Sequence, residues 1–258
     1  MIAEKDFAGR QSRGARDLQE DAYAFSELGE TNEQGEGLLL VVADGLGGHA
    51  AGEQASEIAV KSFVAAFHET TGKIDNRLRT ALNASNEAIA ASVRREPKYE
   101  GMGTTLLAVV VTSAGIEWIS VGDSPLYLFE NGKLNQLNED HSLRPVLKQM
   151  AQSKTATADE PPQAAKNVLR AALIGDEISM IDVSSTPIAL GESDFIVAAT
   201  DGIRVLSDEA MQKICNAFAK AEASTLVNEL LQIVRDADNP KQDNTTVAVI
   251  MGRCAMRG

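Results

Sequence analysis

Short apolar runs rich in Val, Ile and Leu recur along the chain, separated by longer stretches in which apolar positions return every three or four residues. The short runs fall at 22–25, 38–43, 105–112, 116–121, 126–130, 195–200 and 246–251. Their length and β-branched content predict strands, because branched side chains pack well on a pleated surface. Asn131-Gly132 after the fifth run predicts a hairpin, since a two-residue turn needs positive φ at both positions. Helical spacing is clearest where Ile58, Ala59, Phe63, Ala66 and Phe67 share one face of a segment from about 52 to 70. Ile74, Leu78, Ala81, Leu82, Ile89 and Val93 stripe the next helix in the same way. Ser207 before Asp208-Glu209 reads as an N-cap with an acidic first turn. Leu226, Val227, Leu230, Leu231 and Val234 then mark a last helix.

This order lacks the regular β-α-β alternation of a parallel doubly wound sheet. Hairpin-linked strands with segregated helix pairs point instead to an α+β fold, antiparallel sheets covered by helices. Residues 152–165 are polar, contain Pro161-Pro162, and read as a mobile surface excursion rather than a linker. There is no internal repeat and no low-complexity tract, so a single domain over 1–258 is expected.

Composition narrows the classes of function. The chain has 258 residues, 44% hydrophobic and 24% charged, as an ordinary globular protein does. Aromatics are only 4%, so the core must rest on aliphatic side chains. A formal net charge of −13 argues against a nucleic-acid partner or a polybasic membrane contact, both of which need a basic footprint. The opening MIAEKDFAGR carries no apolar segment, no run approaches the roughly 18 apolar residues a membrane helix needs, and Cys215 and Cys254 form no ligand or disulfide pattern. A cytoplasmic setting is the expectation.

The chemistry sits where strands meet aspartates. The run 38–43 leads into Asp44-Gly45, 116–121 into Asp123, and 195–200 into Asp201-Gly202, while Asp243-Asn244 precedes 246–251 and Gln19-Glu20-Asp21 precedes 22–25. Strands of one sheet present their ends at a common rim, so these carboxylates can converge. Asp-Gly is also a common turn dipeptide, and any one copy can be only that. Gathered together, however, like charges raise one another's pKa and destabilise the fold unless something offsets them. Hard divalent cations do so with oxygen ligands, and the lack of a Cys or His cluster argues against zinc. Asp44-Gly45-Leu46-Gly47-Gly48-His49 is too glycine-rich for a mere strand exit, and Gly45 lets the backbone carbonyl come close to a bound ion.

Taken in order, Arg16-x-x-Gln-Glu-Asp21, Asp-Gly-Leu-Gly-Gly-His49, Gly101-Met-Gly-Thr-Thr105, Val-Gly-Asp123-Ser, Asp140-His-Ser142, Ala-Thr-Asp201-Gly and Asp243-Asn-Thr-Thr resemble the motif set of metal-dependent type-2C (PPM) protein serine/threonine phosphatases, in their compact bacterial form. The resemblance runs from about Gly14 to Met251. It implies a four-layer α-β-β-α sandwich of two antiparallel sheets, with a flap-like segment around 143–175. It implies two Mn2+ or Mg2+ ions bridged by Asp44, with Gly45 and Glu20 completing one shell and Asp201 and Asp243 holding the other. Asp123 with Asp201 is expected at a third, weaker site, and Asp21 and Asn244 orient waters and ligands. A water shared by the two ions is the expected nucleophile. Arg16 suits the substrate phosphate, because a guanidinium grips two oxygens at once. His49 is the candidate proton donor to the leaving alkoxide; His141 is the rival, better suited to bracing its loop, and His68 reads as a solvated helix residue. Thr104, Thr105, Ser124 and Ser142 read as structural hydrogen-bonders. The implied partners are phosphoproteins, targets of a serine/threonine kinase, met by a monomer.

Three positions depart from the pattern: Gln19 stands where Asn is common, Pro125 where Arg is frequent, and 153–175 lacks the expected His-Pro and Thr-Arg pairs. Rival readings are a catalytically dead phosphatase-like module that binds phosphoproteins, a phosphatase of small phosphometabolites, and a structural role in which the aspartates only cap turns.

Overall fold

In the computed structural model, which describes residues 1–29, 36–47, 50–152 and 168–253, the burial of alternate residues along single strands reveals the layering. Strand β3 (Gly37–Leu46) buries Leu39, Val41 and Ala43 in one apolar cluster and Leu38, Leu40 and Val42 in another. Successive side chains point to opposite faces, so a strand with both faces in a core must lie inside a stack of layers. Strand β5 (Leu106–Thr112) divides the same way, Leu106, Ala108 and Val110 against Leu107, Val109 and Val111.

The remaining strands are β1 (Phe7–Ser12), β2 (Asp21–Leu28), β4 (Gly103–Thr104), β6 (Gly115–Val121), β7 (Leu126–Glu130), β8 (Lys133–Gln136), β9 (Asp182–Val183), β10 (Phe195–Ala199) and β11 (Thr245–Met251). They form two antiparallel sheets, one ordered β1-β11-β10-β7-β8 and the other β2-β3-β5-β6-β9, with β4 paired to β3. Between the sheets Leu38, Leu40, Val42, Leu107 and Val109 meet Leu126, Leu128, Ile196, Ala198 and Ile250. Helices α1 (Ala50–Glu69) and α2 (Ile74–Arg95) cover the second sheet through Phe63, Phe67, Leu78 and Leu82. Beyond α3 (Arg144–Gln152), helices α4 (Asp208–Ala217) and α5 (Ala223–Asp236) cover the first sheet through Met211, Ile214, Leu226, Leu230 and Val234. Each fully buried aliphatic side chain of this kind contributes about 1.5–3 kcal/mol. The result is the expected α+β, four-layer α-β-β-α sandwich.

Local signals behave as their chemistry dictates. Asn131 and Gly132 both have positive φ, 50° and 76°, in the β7–β8 turn. Ser207 caps α4, its side chain accepting from the Ala210 amide. Strand β8 is the second arm of the hairpin that Asn131-Gly132 predicts, while β1 was not expected from the pattern: it is an edge strand of mixed sequence and lacks the continuous apolar run that marks a buried strand. The segment expected to be mobile, 143–175, divides into three. It begins with α3, 153–167 including Pro161-Pro162 lie outside the described residues, and the part from 168 onward is tied down. Leu173 exchanges backbone hydrogen bonds of 2.9 and 3.0 Å with Thr104 and is buried in the cluster under α1 and α2.

Candidate active site

The rim of the sandwich is where the two sheets touch through polar groups. Asp21 opens β2 and lies directly opposite Asp44 in the β2–β3 ladder. Its Oδ2 accepts hydrogen bonds from Thr200 Oγ1 at 2.9 Å and Thr246 Oγ1 at 2.7 Å, both on the other sheet's side. Asp44 does not end its strand, as the apolar pattern suggested. The ladder continues through Gly45 and Leu46, which pair with β4, while Thr105 Oγ1 accepts from the Asp44 amide at 3.0 Å and Thr104 Oγ1 donates to its carbonyl at 2.9 Å. Gly45 is dictated by space: a Cβ there would collide with the carbonyls of Gly52 and Glu20. The backbone around Asp44 is thus fixed on both sides before any ligand is considered.

The other acids arrive from strand ends. Asp123 follows β6, Asp201 follows β10 at the start of a 3-10 turn (Asp201–Val205), and Asp243 precedes β11. Asn244 ties the loop that carries Arg16 and Glu20 to this rim: its Nδ2 donates to the Arg13 and Leu18 carbonyls, both at 2.9 Å, and its Oδ1 accepts from the Glu20 amide at 2.8 Å. Gly14 in that loop has φ of +61°, and a Cβ on it would strike the Asp243 carbonyl. Arg16 reaches Asp243 Oδ2 at 2.6 Å. His49 and Gly48 lie outside the described residues.

The charges feel one another. Burial pushes the Asp44 carboxyl well above the usual range, and Asp21, Asp201, Asp123 and Asp243 push it further. Burial raises Asp21 to about 7 against the lowering effect of its two threonine donors. Burial likewise raises Asp123 to about 6 and raises Asp201, in each case with help from a neighbouring aspartate and opposition from Arg144 and Arg204. Asp21 Oδ1 is buried with no hydrogen-bond partner among the described residues. An orphaned carboxylate oxygen beside a crowd of acids is what a site for hard cations leaves when the cations are not counted. The oxygen-only donor set fits Mg2+ or Mn2+. Among the described residues no three acidic, His or Cys side chains already close around a point. Two of the acids are drawn instead toward guanidiniums, Asp243 to Arg16 and Asp123 to Arg144.

Sequence reasoning missed Arg144, Arg204 and Gln242, and it named Asp140 in a motif without giving it a role. Arg144 Nη1 is 3.3 Å from Asp123 Oδ2, and Arg204 Nη2 donates to Asp140 Oδ2 at 3.1 Å and to the Asp123 carbonyl at 2.9 Å. For Arg144 the one signal was spacing, Asp140 four residues before it, whereas the partners of Arg204, Asp123 and Asp140, are distant in sequence. Gln242 Nε2 donates to the Gly202 carbonyl at 2.9 Å and its backbone carbonyl accepts from the Ala15 amide, a role no sequence pattern marks. The hydroxyls sit in structural positions: Thr105 Oγ1 and Ser124 Oγ share a hydrogen bond of 2.9 Å. His141 is buried, and its Nδ1 accepts from the Gly122 amide at 3.2 Å, bracing the turn that presents Asp123. That bond fixes a neutral imidazole, and burial holds its pKa below the ordinary value. His68 is exposed and hydrogen-bonded to Ser26 at 2.7 Å, outside the acid cluster.

Comparison with known proteins adds an independent line. The serine/threonine protein phosphatase PstP of Mycobacterium tuberculosis is 32% identical over 213 residues, 82% of this chain and 40% of PstP, so this chain spans less than half of that relative. The serine/threonine phosphatase stp of Listeria monocytogenes is 31% identical over 226 residues, 85% of this chain and 86% of stp. The crystal structure of the PstP catalytic domain in complex with two manganese ions superposes with a TM-score of 0.73 at 29% identity, over 95% of this chain and 96% of that one. The family model "Protein phosphatase 2C" matches residues 8–243, which takes in the motifs from Arg16 to Asp243. The chain therefore belongs to the protein phosphatase 2C family.

Proposed function

We propose that this chain is a protein serine/threonine phosphatase that hydrolyses phosphoserine and phosphothreonine esters without a covalent intermediate, with two Mn2+ or Mg2+ ions. The observation that carries this is the shared rim: Asp21 lies opposite Asp44 in the β2–β3 ladder and is hydrogen-bonded to Thr200 and Thr246, which brings Asp44 to the strand ends that carry Asp201 and Asp243. Two bound hard cations would supply a nucleophilic water at neutral pH and neutralise charge on the phosphoryl group. In this reading Asp44 would serve both ions, with Glu20 and the Gly45 carbonyl completing one shell and Asp201 and Asp243 holding the other. Asp21 and Asn244 hold the frame, the first across the two sheets and the second through the loop of Arg16. Arg16 is exposed on one side of Asp243 and can turn to a phosphate. His49 remains the proposed proton donor: His49→Ala should cost far more turnover on a phosphoserine peptide than on p-nitrophenyl phosphate, whose leaving group needs no proton, and equal losses would remove the role. Relatives named as serine/threonine phosphatases support the substrate class.

The described residues include no helix long and apolar enough to cross a membrane, and a cytoplasmic location is part of the proposal. A monomer acting on targets of a serine/threonine kinase completes it, and size-exclusion chromatography tests the first half. The deciding experiment is a panel of phosphoserine, phosphothreonine and phosphotyrosine peptides and small phosphate esters, with Mn2+ or with EDTA. Metal-dependent release from the phosphoserine and phosphothreonine peptides is expected. No turnover would favour a binding module, and preference for small esters would favour a metabolite phosphatase.

A further inference from the structure

The acid cluster is neutralised unevenly. Asp123, Asp140 and Asp201 face two guanidiniums that are mostly buried. Arg144 Nη1 lies 3.3 Å from Asp123 Oδ2 and 3.8 Å from Asp140 Oδ2, and its Nη2 lies 3.8 Å from Asp201 Oδ2. Arg204 reaches Asp140 Oδ2 at 3.1 Å. Among the described residues no ion pair reaches Asp21 or Asp44, and Arg16, paired with Asp243, has half its side chain exposed. The half around Asp44 therefore wants cations from solution, and the half around Asp123 already has them from the chain.

Arg144 is also built into place. The Ser142 hydroxyl accepts from its amide at 3.2 Å, and Asp140 Oδ1 accepts from the Ser142 amide at 2.8 Å. The Leu143 amide donates to the Val168 carbonyl at 2.9 Å, and Arg170 Nε donates to the Ser142 carbonyl at 3.1 Å. Side-chain exposure of Arg144 is 19%, against 4% for Asp123. This is a guanidinium delivered by a fixed backbone, with Nη1 toward Asp123 and Asp140 and Nη2 toward Asp201.

We propose that Arg144 is an internal cation that holds the Asp123 corner of the centre in place of a third metal ion, and so limits this chain to two divalent ions. The inference rests on the two-ion reading above. An ion shared by Asp123 and Asp201 needs their oxygens at about 2.0–2.1 Å if it is Mg2+, in space the guanidinium now occupies. It would also stand against the positive charges of Arg144 and Arg204, which the low-dielectric surroundings screen weakly. Asp123 then serves as the partner of Arg144 rather than as a metal ligand.

Equilibrium dialysis against Mn2+ from micromolar to millimolar, with bound metal counted by atomic absorption, tests this without any turnover. The wild-type chain is expected to saturate at two ions. Arg144→Met should take up a third, at least tenfold tighter than any residual uptake by wild type, while Arg144→Lys should stay at two. Asp123→Asn should leave wild-type stoichiometry at two and abolish the third ion of Arg144→Met. A wild-type chain that binds three ions, an Arg144→Met chain that stays at two, or loss of an ion in Asp123→Asn alone would each overturn the inference. The wild-type and Asp123→Asn arms decide it even if Arg144→Met does not fold. A wild-type chain that binds no Mn2+ would overturn the two-ion reading itself, a result distinct from the others.

Discussion

Asp21 shows at a single residue how the site is assembled and what it costs. One carboxylate oxygen is satisfied by threonines from the opposite sheet, the other is buried with no partner among the described residues, and burial pushes the carboxyl up to about 7. Arg16 is the complementary case, a cation resting on Asp243 at 2.6 Å yet exposed enough to leave it. Charge-assisted hydrogen bonds contribute about 1.5–3 kcal/mol, so Arg16→Ala should raise KM for a phosphopeptide on the order of 10–100-fold with a smaller loss in kcat. An unchanged KM in steady-state kinetics would remove its phosphate role. His141 makes a pH-dependent prediction. Its folded pKa is depressed below the usual 6.5, so the unfolded chain takes up the proton first on acidification. The stability its neutral ring contributes is full above pH of about 6.5 and is lost as pH falls from there toward the folded value. Urea unfolding should show the destabilisation by His141→Asn largest above pH of about 7 and shrinking below about 6.5. A difference that grows on acidification would mean the ring is charged in the folded chain.

At the scale of elements, burial decides what a sequence reveals. Strands β3, β5, β10 and β11 are buried along their length and announce themselves as unbroken aliphatic runs. Helices α1, α2 and α5 show their apolar stripe, and the Ser207 cap was legible because it is local chemistry. Strand β8 was legible only through the Asn131-Gly132 turn before it; β1 was illegible because an edge strand needs no apolar run, and α3 because a polar segment with prolines nearby resembles a loop. The acids of the candidate site could be read off as strand-end aspartates; Arg144 and Arg204 could not, because their partners are distant in sequence or hidden in an ordinary helical interval. The same logic ranks substitutions. Ser207→Ala removes one cap and should cost about 1 kcal/mol, whereas Leu230→Ala in the fully buried face of α5 should cost about 2–5 kcal/mol. Equal costs in chemical denaturation would contradict the assignment of α5 to the core of the first sheet.

For the whole molecule, the sandwich brings together residues that lie far apart in the chain, from Arg16 to Asp243, by placing the ends of both sheets at one rim. The acids crowded there oppose folding when no cation is bound, so metal and stability are linked. At a Mn2+ concentration a hundredfold above Kd, one site contributes about 2.7 kcal/mol, a rise in Tm of roughly 5–10 °C for a chain of this size. Asp44→Asn should show little of that rise, and in EDTA it should melt no lower than wild type, since a partly buried, crowded carboxyl has been replaced by a neutral group of the same shape. The most direct test of the central claim is hydrolysis of a phosphothreonine peptide in Mn2+ by wild type and by Asp44→Asn, with folding matched by circular dichroism. A folded Asp44→Asn chain whose turnover has fallen at least about a thousandfold is the predicted result. Near-normal Mn2+-dependent turnover in that variant would contradict the account.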